Sequence, residues 1–280
     1  MVKYQGSKRK YAGNICNIIR GIVGTEALLG DYCCGSGEIS HYWSRPTVMV
    51  DSGPWGLFWH FVSVGHFNRK LIDFLDEDDY EMSCFKFVQR RVPEDPRLFC
   101  LYFLALQREA FQGKPVDVIG KQWKHPGWDG KFSLKAFERS WKRAMTMKPV
   151  RVYYENVNKL KLDLPAIYVD PDYPGVTGYN GRTVKVLDVC KNHPNAHIFV
   201  SSHTEIPGPP WDKTFNVSID DSGREARGSS VDDSEYLFYR APINVGCNES
   251  AVLGSKQEKD SASFCTNDSI GGSGVLNVVG

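Results

Sequence analysis

The sequence predicts an α/β fold with an insertion. Short β-branched and aromatic runs recur along the 280 residues, separated by stretches long enough to hold helices. A glycine turn, followed by an acid at the end of the next strand-like run, marks a place where such a sheet binds ligands. A basic, aromatic-rich block interrupts the alternation in the middle of the chain. With 41% hydrophobic and 24% charged residues, the chain can bury a full core, which predicts one α/β domain plus a subdomain.

The strand-like runs are "TVMVD" (47–51), "VRVYY" (150–154), "AIYVD" (166–170), "AHIFVSS" (196–202) and "EYLFYR" (235–240). "NICNIIRGIV" (14–23) and "PRLFCLYFLALQREAF" (96–111) carry apolar residues at helical spacing. The expected division is 1–65 plus 150–245 as the catalytic domain, 66–149 as the insertion, and 246–280 as a flexible Ser-, Gly- and Asn-rich tail. No apolar stretch is long enough for a signal core or a membrane span, so a soluble cytoplasmic protein is expected. The eight cysteines include no C-x-x-C pair, which argues for reduced thiols and against a zinc site.

The formal net charge is +1, so any nucleic-acid surface must come from local segregation of charge. Between Arg108 and Arg151 there are eleven Lys or Arg against four acids, interleaved with Phe111, Trp123, Trp128, Phe132, Phe137 and Trp141. Cations among aromatics suit a phosphate backbone with unstacked bases; a solvated helix face over an aromatic core fits equally well. The candidate DNA contacts are Lys114, Lys121, Lys124, Lys131, Arg139 and Arg143.

In "LLGDYCCGSGEIS" an apolar approach leads to Asp31, Gly35, Ser36 and Gly37 and then to a helix start. Glycines there let backbone approach a ligand, and Asp51, ending "VMVD", is placed to accept from ribose hydroxyls. "AIYVDPDYPG" (166–175) ends a buried run in two carboxylates, two prolines and a tyrosine. Glu38 reads as a first-turn helix acid, His203 as a surface or hydrogen-bonded residue, and the acids from Asp212 to Glu235 as solvated loop. Cys33 and Cys34 read as small, buried and inert.

In this order the pieces resemble the Dam-type DNA adenine-N(6) methyltransferases. "KYQGSKRKYA" is similar to the family's N-terminal cofactor motif, and "DYCCGSG" to its acidic, glycine-containing loop with Cys33 in the aromatic's place. "REAFQGK" (108–114) is similar to its Phe-Asn-Gly segment, and "VDPDYPGVTGY" lies where it carries its DPPY motif. The resemblance covers roughly residues 1–243. It implies a doubly wound, Rossmann-like sheet that binds S-adenosylmethionine, with an inserted DNA-recognition subdomain, in a monomer acting on DNA. It also implies that Tyr4, Lys8, Asp31, Gly35, Gly37 and Asp51 line the cofactor pocket, with Asp51 on the ribose.

The implied chemistry is methyl transfer to an adenine amine whose lone pair is delocalised into the ring. Acceptors must hold its protons: by resemblance Asp170 and the Pro171 carbonyl, with Tyr173 stacking on a base flipped out of the duplex. The chain departs from the family at Asp172, where the second proline is expected, so the motif reads D-P-D-Y. That change restores an N–H and adds a carboxylate that could act as a base, bind an ammonium group or simply point to solvent. Two alternatives therefore stand beside adenine methylation. One is a phage-type transferase of the same fold that attaches a group such as an amino acid to an activated thymine; the other is a non-catalytic DNA-binding module.

Overall fold

The computed structural model describes residues 8–66, 91–108, 110, 114–124, 127, 134–147, 149–171, 183–206, 210–218 and 235–243, all within one compact unit, Met1–Val245. The expected contributions of Tyr4, Lys131, Asp172, Tyr173 and the 246–280 tail lie outside these residues.

Seven strands form one mostly parallel sheet: β1 (Leu29–Tyr32), β2 (Thr47–Val50), β5 (Arg151–Tyr153), β6 (Ala166–Val169), β7 (His197–Ser202), β8 (Lys213–Asn216) and β9 (Tyr236–Arg240). Their order is β5-β2-β1-β6-β7-β9-β8. β1 pairs in parallel with both β2 and β6, from Leu29 opposite Thr47 and Ala166 to Tyr32 opposite Val50 and Val169. β9 alone runs against its neighbours β7 and β8. The strand order reverses between β1 and β6, so their carboxyl ends flank the crevice where open α/β sheets bind ligands.

The central strands are buried on both faces, as helices covering both sides require. Along β6, Ala166 and Tyr168 pack with Ile15, Ile19 and Trp43 of α1 (Ala12–Val23) and α2 (Glu38–Trp43), whereas Ile167 and Val169 pack with Val186 and Val189 of α6 (Val186–Asn192). This alternation is the period-2 pleat of a strand buried on both faces.

A third cluster joins α3 (Pro54–Ser63), α4 (Pro96–Arg108) and α5 (Leu134–Thr146) around Trp55, Phe58, Phe99, Phe103, Phe137 and Trp141. Among the described residues the inserted segment also contains an antiparallel hairpin, β3 (Asp117–Ile119) and β4 (Gln122–Lys124), whose Trp123 enters the same cluster. The aromatics Trp123, Phe137 and Trp141 are thus core, while Lys121, Lys124 and Arg139 remain exposed around them.

The predicted strands at 47–51, 150–154, 166–170, 196–202 and 235–240 each form within a residue or two of the expected bounds. β1 and β8 are additional, and Asp31 lies within β1 rather than in the turn. No helix among the described residues is long and apolar enough to cross a membrane.

Candidate functional site

The tips of β1 and β6 enclose a cleft of about 260 Å³ lined by Lys8, Asp31, Cys33, Cys34, Gly35, Ser36, Glu38, Ile39, Tyr168 and Asp170. Five residues read from the sequence as site-forming, Lys8, Asp31, Gly35, Asp170 and the Gly37 turn beside them, are brought together here.

The turn after β1 is shaped by left-handed backbone. Cys33, Gly35 and Gly37 have φ of 61°, 46° and 73°. The Gly37 N–H donates to the Cys34 carbonyl at 2.7 Å, and the Trp59 indole N–H donates to the Gly35 carbonyl at 2.8 Å. A Cβ on Gly37 would come within 3.0–3.2 Å of Trp59, Met49 and Met147, so both φ and space call for glycine. Cys34 is buried and its thiol is pushed well above its ordinary value by burial, which leaves it inert; Cys33 is half-buried and lines the cleft.

Asp31 is buried, and its Oδ2 accepts both the Ser40 N–H at 3.1 Å and the Ser40 hydroxyl at 2.6 Å. These bonds tie β1 to the first turn of α2. Burial raises the Asp31 carboxyl to about 7 against the pull of Ser40, and the nearby Asp170 and Asp51 carboxylates add to the rise.

Asp51 sits beside the turn rather than among the cleft-lining residues. Its Oδ2 accepts the Gly35 N–H at 3.1 Å and its Oδ1 the Gly53 N–H at 2.7 Å, so it binds the glycine turn to the entry of α3. The approach of α3 depends on Gly56, where a Cβ would lie 2.0 Å from the Asp51 carbonyl oxygen. A glycine two residues after the helix-opening proline in "DSGPWG" was the sequence signal for this contact.

Asp170 caps β6, its N–H donating to the Tyr32 carbonyl at 3.2 Å. Oδ1 accepts from the Lys8 ammonium at 2.6 Å and from the Ser201 hydroxyl at 3.1 Å, and Ser201 in turn meets the Tyr168 hydroxyl at 2.8 Å. Oδ2 makes no hydrogen bond among the described residues. Burial pushes the Asp170 carboxyl above its ordinary value, while Lys8, Ser201 and His203 draw it down. Pro171 follows, half-buried.

Lys8 is only 4% exposed, which a lysine tolerates when paired. Its second carboxylate is Glu235, 3.7 Å away and 1% exposed. Glu235, expected among solvated loop acids, is therefore a buried partner of the site. The reason is topological: β9 runs antiparallel, so its beginning, not its end, lies beside the tips of β6 and β7. Glu38 is indeed in the first turn of α2, but it is buried and forms an ion pair with Arg143 of α5. Arg143 thereby lies beside the glycine turn, and its Nη1 has no hydrogen-bond partner among the described residues. Glu38 and Arg143 also line an aromatic pocket of about 330 Å³ with Trp55, Phe58 and Trp59.

Of the other expected DNA contacts, Lys121, Lys124 and Arg139 are exposed. Lys114 is half-buried, and its carbonyl accepts from Gln107 in the core. Among the described residues no group of three His, Cys, Asp or Glu is arranged to hold a metal ion.

Comparison of the chain with protein-family models and with curated protein sequences gives no match.

Proposed function

We propose that the protein is an S-adenosylmethionine-dependent DNA adenine-N(6) methyltransferase that acts on a flipped base. The observation that carries the reading is the division of labour within Asp170. Lys8 and Ser201 anchor Oδ1 of this cleft-lining residue, while among the described residues Oδ2 makes no hydrogen bond. An acceptor fixed at a strand tip is what an aromatic amine needs: its protons are held, and its electron density is directed at the electrophile.

The donor set also fits the cofactor. Among the described residues Asp31, Asp51 and Asp170 stand near one another with Lys8 as the ammonium that lines the cleft, and a surplus of carboxylates suits a ligand bearing a sulfonium and an ammonium. Asp51 would take the ribose hydroxyls, and the Gly35–Gly37 turn lets backbone approach the ligand. Bound there, S-adenosylmethionine supplies an electrophilic methyl group. The exposed Lys121, Lys124 and Arg139 would contact DNA phosphates, and the strand order around β1 and β6 supports the Rossmann-like methyltransferase sheet. In this reading the protein works as a monomer in the cytoplasm of a bacterial or phage-infected cell.

Transfer of labelled methyl from S-adenosylmethionine to adenine in DNA, lost in Asp170→Ala, is the expected result. Absence of S-adenosylmethionine binding by calorimetry would overturn the reading. The same carboxylate surplus would also hold the ammonium of an amino acid, which supports the second reading, attachment of an amine to an activated thymine. Mass spectrometry of nucleosides from DNA exposed to the active protein separates the two, because the modified base and the added mass both differ.

A further inference from the structure

The helix α5 joins a charged surface to the wall of the cleft. Lys135, Arg139 and Lys142 follow one another at steps of four and three residues, so they form one exposed cationic stripe along it. Phe137, Trp141 and Ala144 fall on the opposite side, where they enter the aromatic cluster with Trp55 and Phe58. Arg143 stands on the border between the two faces. Its guanidinium reaches Glu38, the buried first residue of α2, which directly follows the glycine turn.

Glu38 and Ser36 line both the cleft that holds Asp170 and the aromatic pocket between α3 and α5. That pocket is an incompletely filled seam. Trp55, Phe58 and Trp59 face Ser140, Arg143 and Ala144 across it, and the buried Nη1 of Arg143 has no hydrogen-bond partner among the described residues. Close-packed interiors rarely leave such room or such a donor, so α5 has space to shift against α3. The glycine turn that α5 supports is also held in shape by its surroundings. Cys33 keeps a left-handed backbone without being glycine, a conformation that persists where neighbours impose it. Behind Gly37, the Met147 side chain just past the end of α5 lies 3.2 Å from where a Cβ would stand.

We infer, on the proposed reading of the cleft and of the basic surface, that α5 couples DNA binding to cofactor binding, with Arg143 and Glu38 as positioning residues. DNA phosphates drawn to Lys135, Arg139 and Lys142 fix α5. The guanidinium of Arg143 then fixes Glu38 and the turn before it, and the cleft binds its cofactor more tightly. A ligand that orders α5 relieves the next ligand of part of that ordering cost. Linkage makes the effect mutual: the factor that DNA adds to cofactor affinity is the factor that the cofactor adds to DNA affinity.

Two measurements on the full chain test this. In amide hydrogen exchange without cofactor, a short DNA duplex should slow exchange across residues 33–40 by about threefold or more. The slowing should vanish in Arg143→Gln and persist in part in Arg143→Lys, which keeps a cation for Glu38. In calorimetry, the same duplex should tighten S-adenosylmethionine binding by about threefold or more in the wild type and by less than about 1.5-fold in Arg143→Gln. A purely structural role would lower both affinities and leave their ratio unchanged. Arg143→Gln strands a buried carboxylate, so if it unfolds, the paired replacement of Glu38→Gln with Arg143→Met, which leaves no lone charge, takes its place. Wild-type exchange at 33–40 that DNA leaves unmoved, or an affinity ratio equal in wild type and variant, overturns the inference. Slowed exchange that depends on Arg143, without any S-adenosylmethionine binding, supports the coupling and overturns the proposed function. Methyl transfer with unmoved exchange does the reverse.

Discussion

His193 and Asp170 are both polar groups held beside β1, and they are used in opposite ways. His193 is buried with every capacity taken: its Nδ1 meets the Val189 carbonyl at 2.9 Å, and its Nε2 meets the Tyr32 hydroxyl at 3.0 Å and the Leu162 N–H at 3.2 Å. The Leu162 N–H can only donate, so Nε2 accepts and the proton sits on Nδ1, which makes the ring neutral. Burial lowers its basicity in the same direction. Asp170, which lines the cleft, has one oxygen committed to Lys8 and Ser201 and one that makes no hydrogen bond among the described residues. A satisfied hub joins elements together; a hub with capacity in reserve can hold something else.

The largest effect that would sharpen the contrast is expected at Lys8. Lys8→Met leaves the carboxylates of Asp170 and Glu235 without their ammonium, at a cost of about 3–5 kcal/mol, the usual penalty for stranding half of a buried pair. Denaturant unfolding at pH 8 checks the loss, and the penalty should shrink in acid as the carboxylates take up protons.

Next is the pH dependence owed to Asp31. Its folded value, about 7, lies above the ordinary aspartate value, so across that interval the folded chain binds the proton and the unfolded chain does not. Stability must then fall as pH rises from about 4 to 7, by an amount of the order of a few kcal/mol. Asp31→Asn should remove that decline in a series of unfolding curves, since an amide oxygen still accepts from Ser40. Affinity for a cationic ligand should rise through the same range in the wild type and stay level in the variant. A decline that persists in Asp31→Asn would assign it to another group.

The smallest effect tests the other side of the comparison. His193→Ala strands the Tyr32 hydroxyl and the Leu162 N–H, at about 1–3 kcal/mol. Ligand affinity measured by calorimetry well below the melting temperature should change less than about twofold, a shift under half a kcal/mol. A larger loss of affinity would make His193 part of the site and dissolve the distinction.

The sequence revealed what is local. The strand at 166–170 and its acidic tip, and the glycine turn with Asp51 after the following strand, follow from pleat periodicity and from the residues that left-handed turns demand. Glu235 could not be read the same way, because its burial depends on an antiparallel strand inserted between two parallel ones. Arg143 was indistinguishable by composition from Arg139; only the register of α5 turns one toward Glu38 and the other toward solvent. The aromatic block held two meanings at once, and the packing of Trp123, Phe137 and Trp141 realises the core reading while leaving exposed lysines around it. β1 reads LGDY, and its Gly30 and Asp31 break the apolar run that announces a strand, although its four buried residues are the centre of the sheet.

The reversed strand β9 also bears on how the molecule is made. Lys8 precedes β1 in the chain and Glu235 follows β7, so β1, β2, β6 and β7 can pair during synthesis while the ammonium still lacks its second carboxylate. Closing the far edge of the sheet and completing the charge balance of the cleft are then one event. A nascent chain released before β9 would expose the edge of β7 and carry an incomplete site, so incomplete synthesis and inactivity are linked in the architecture itself.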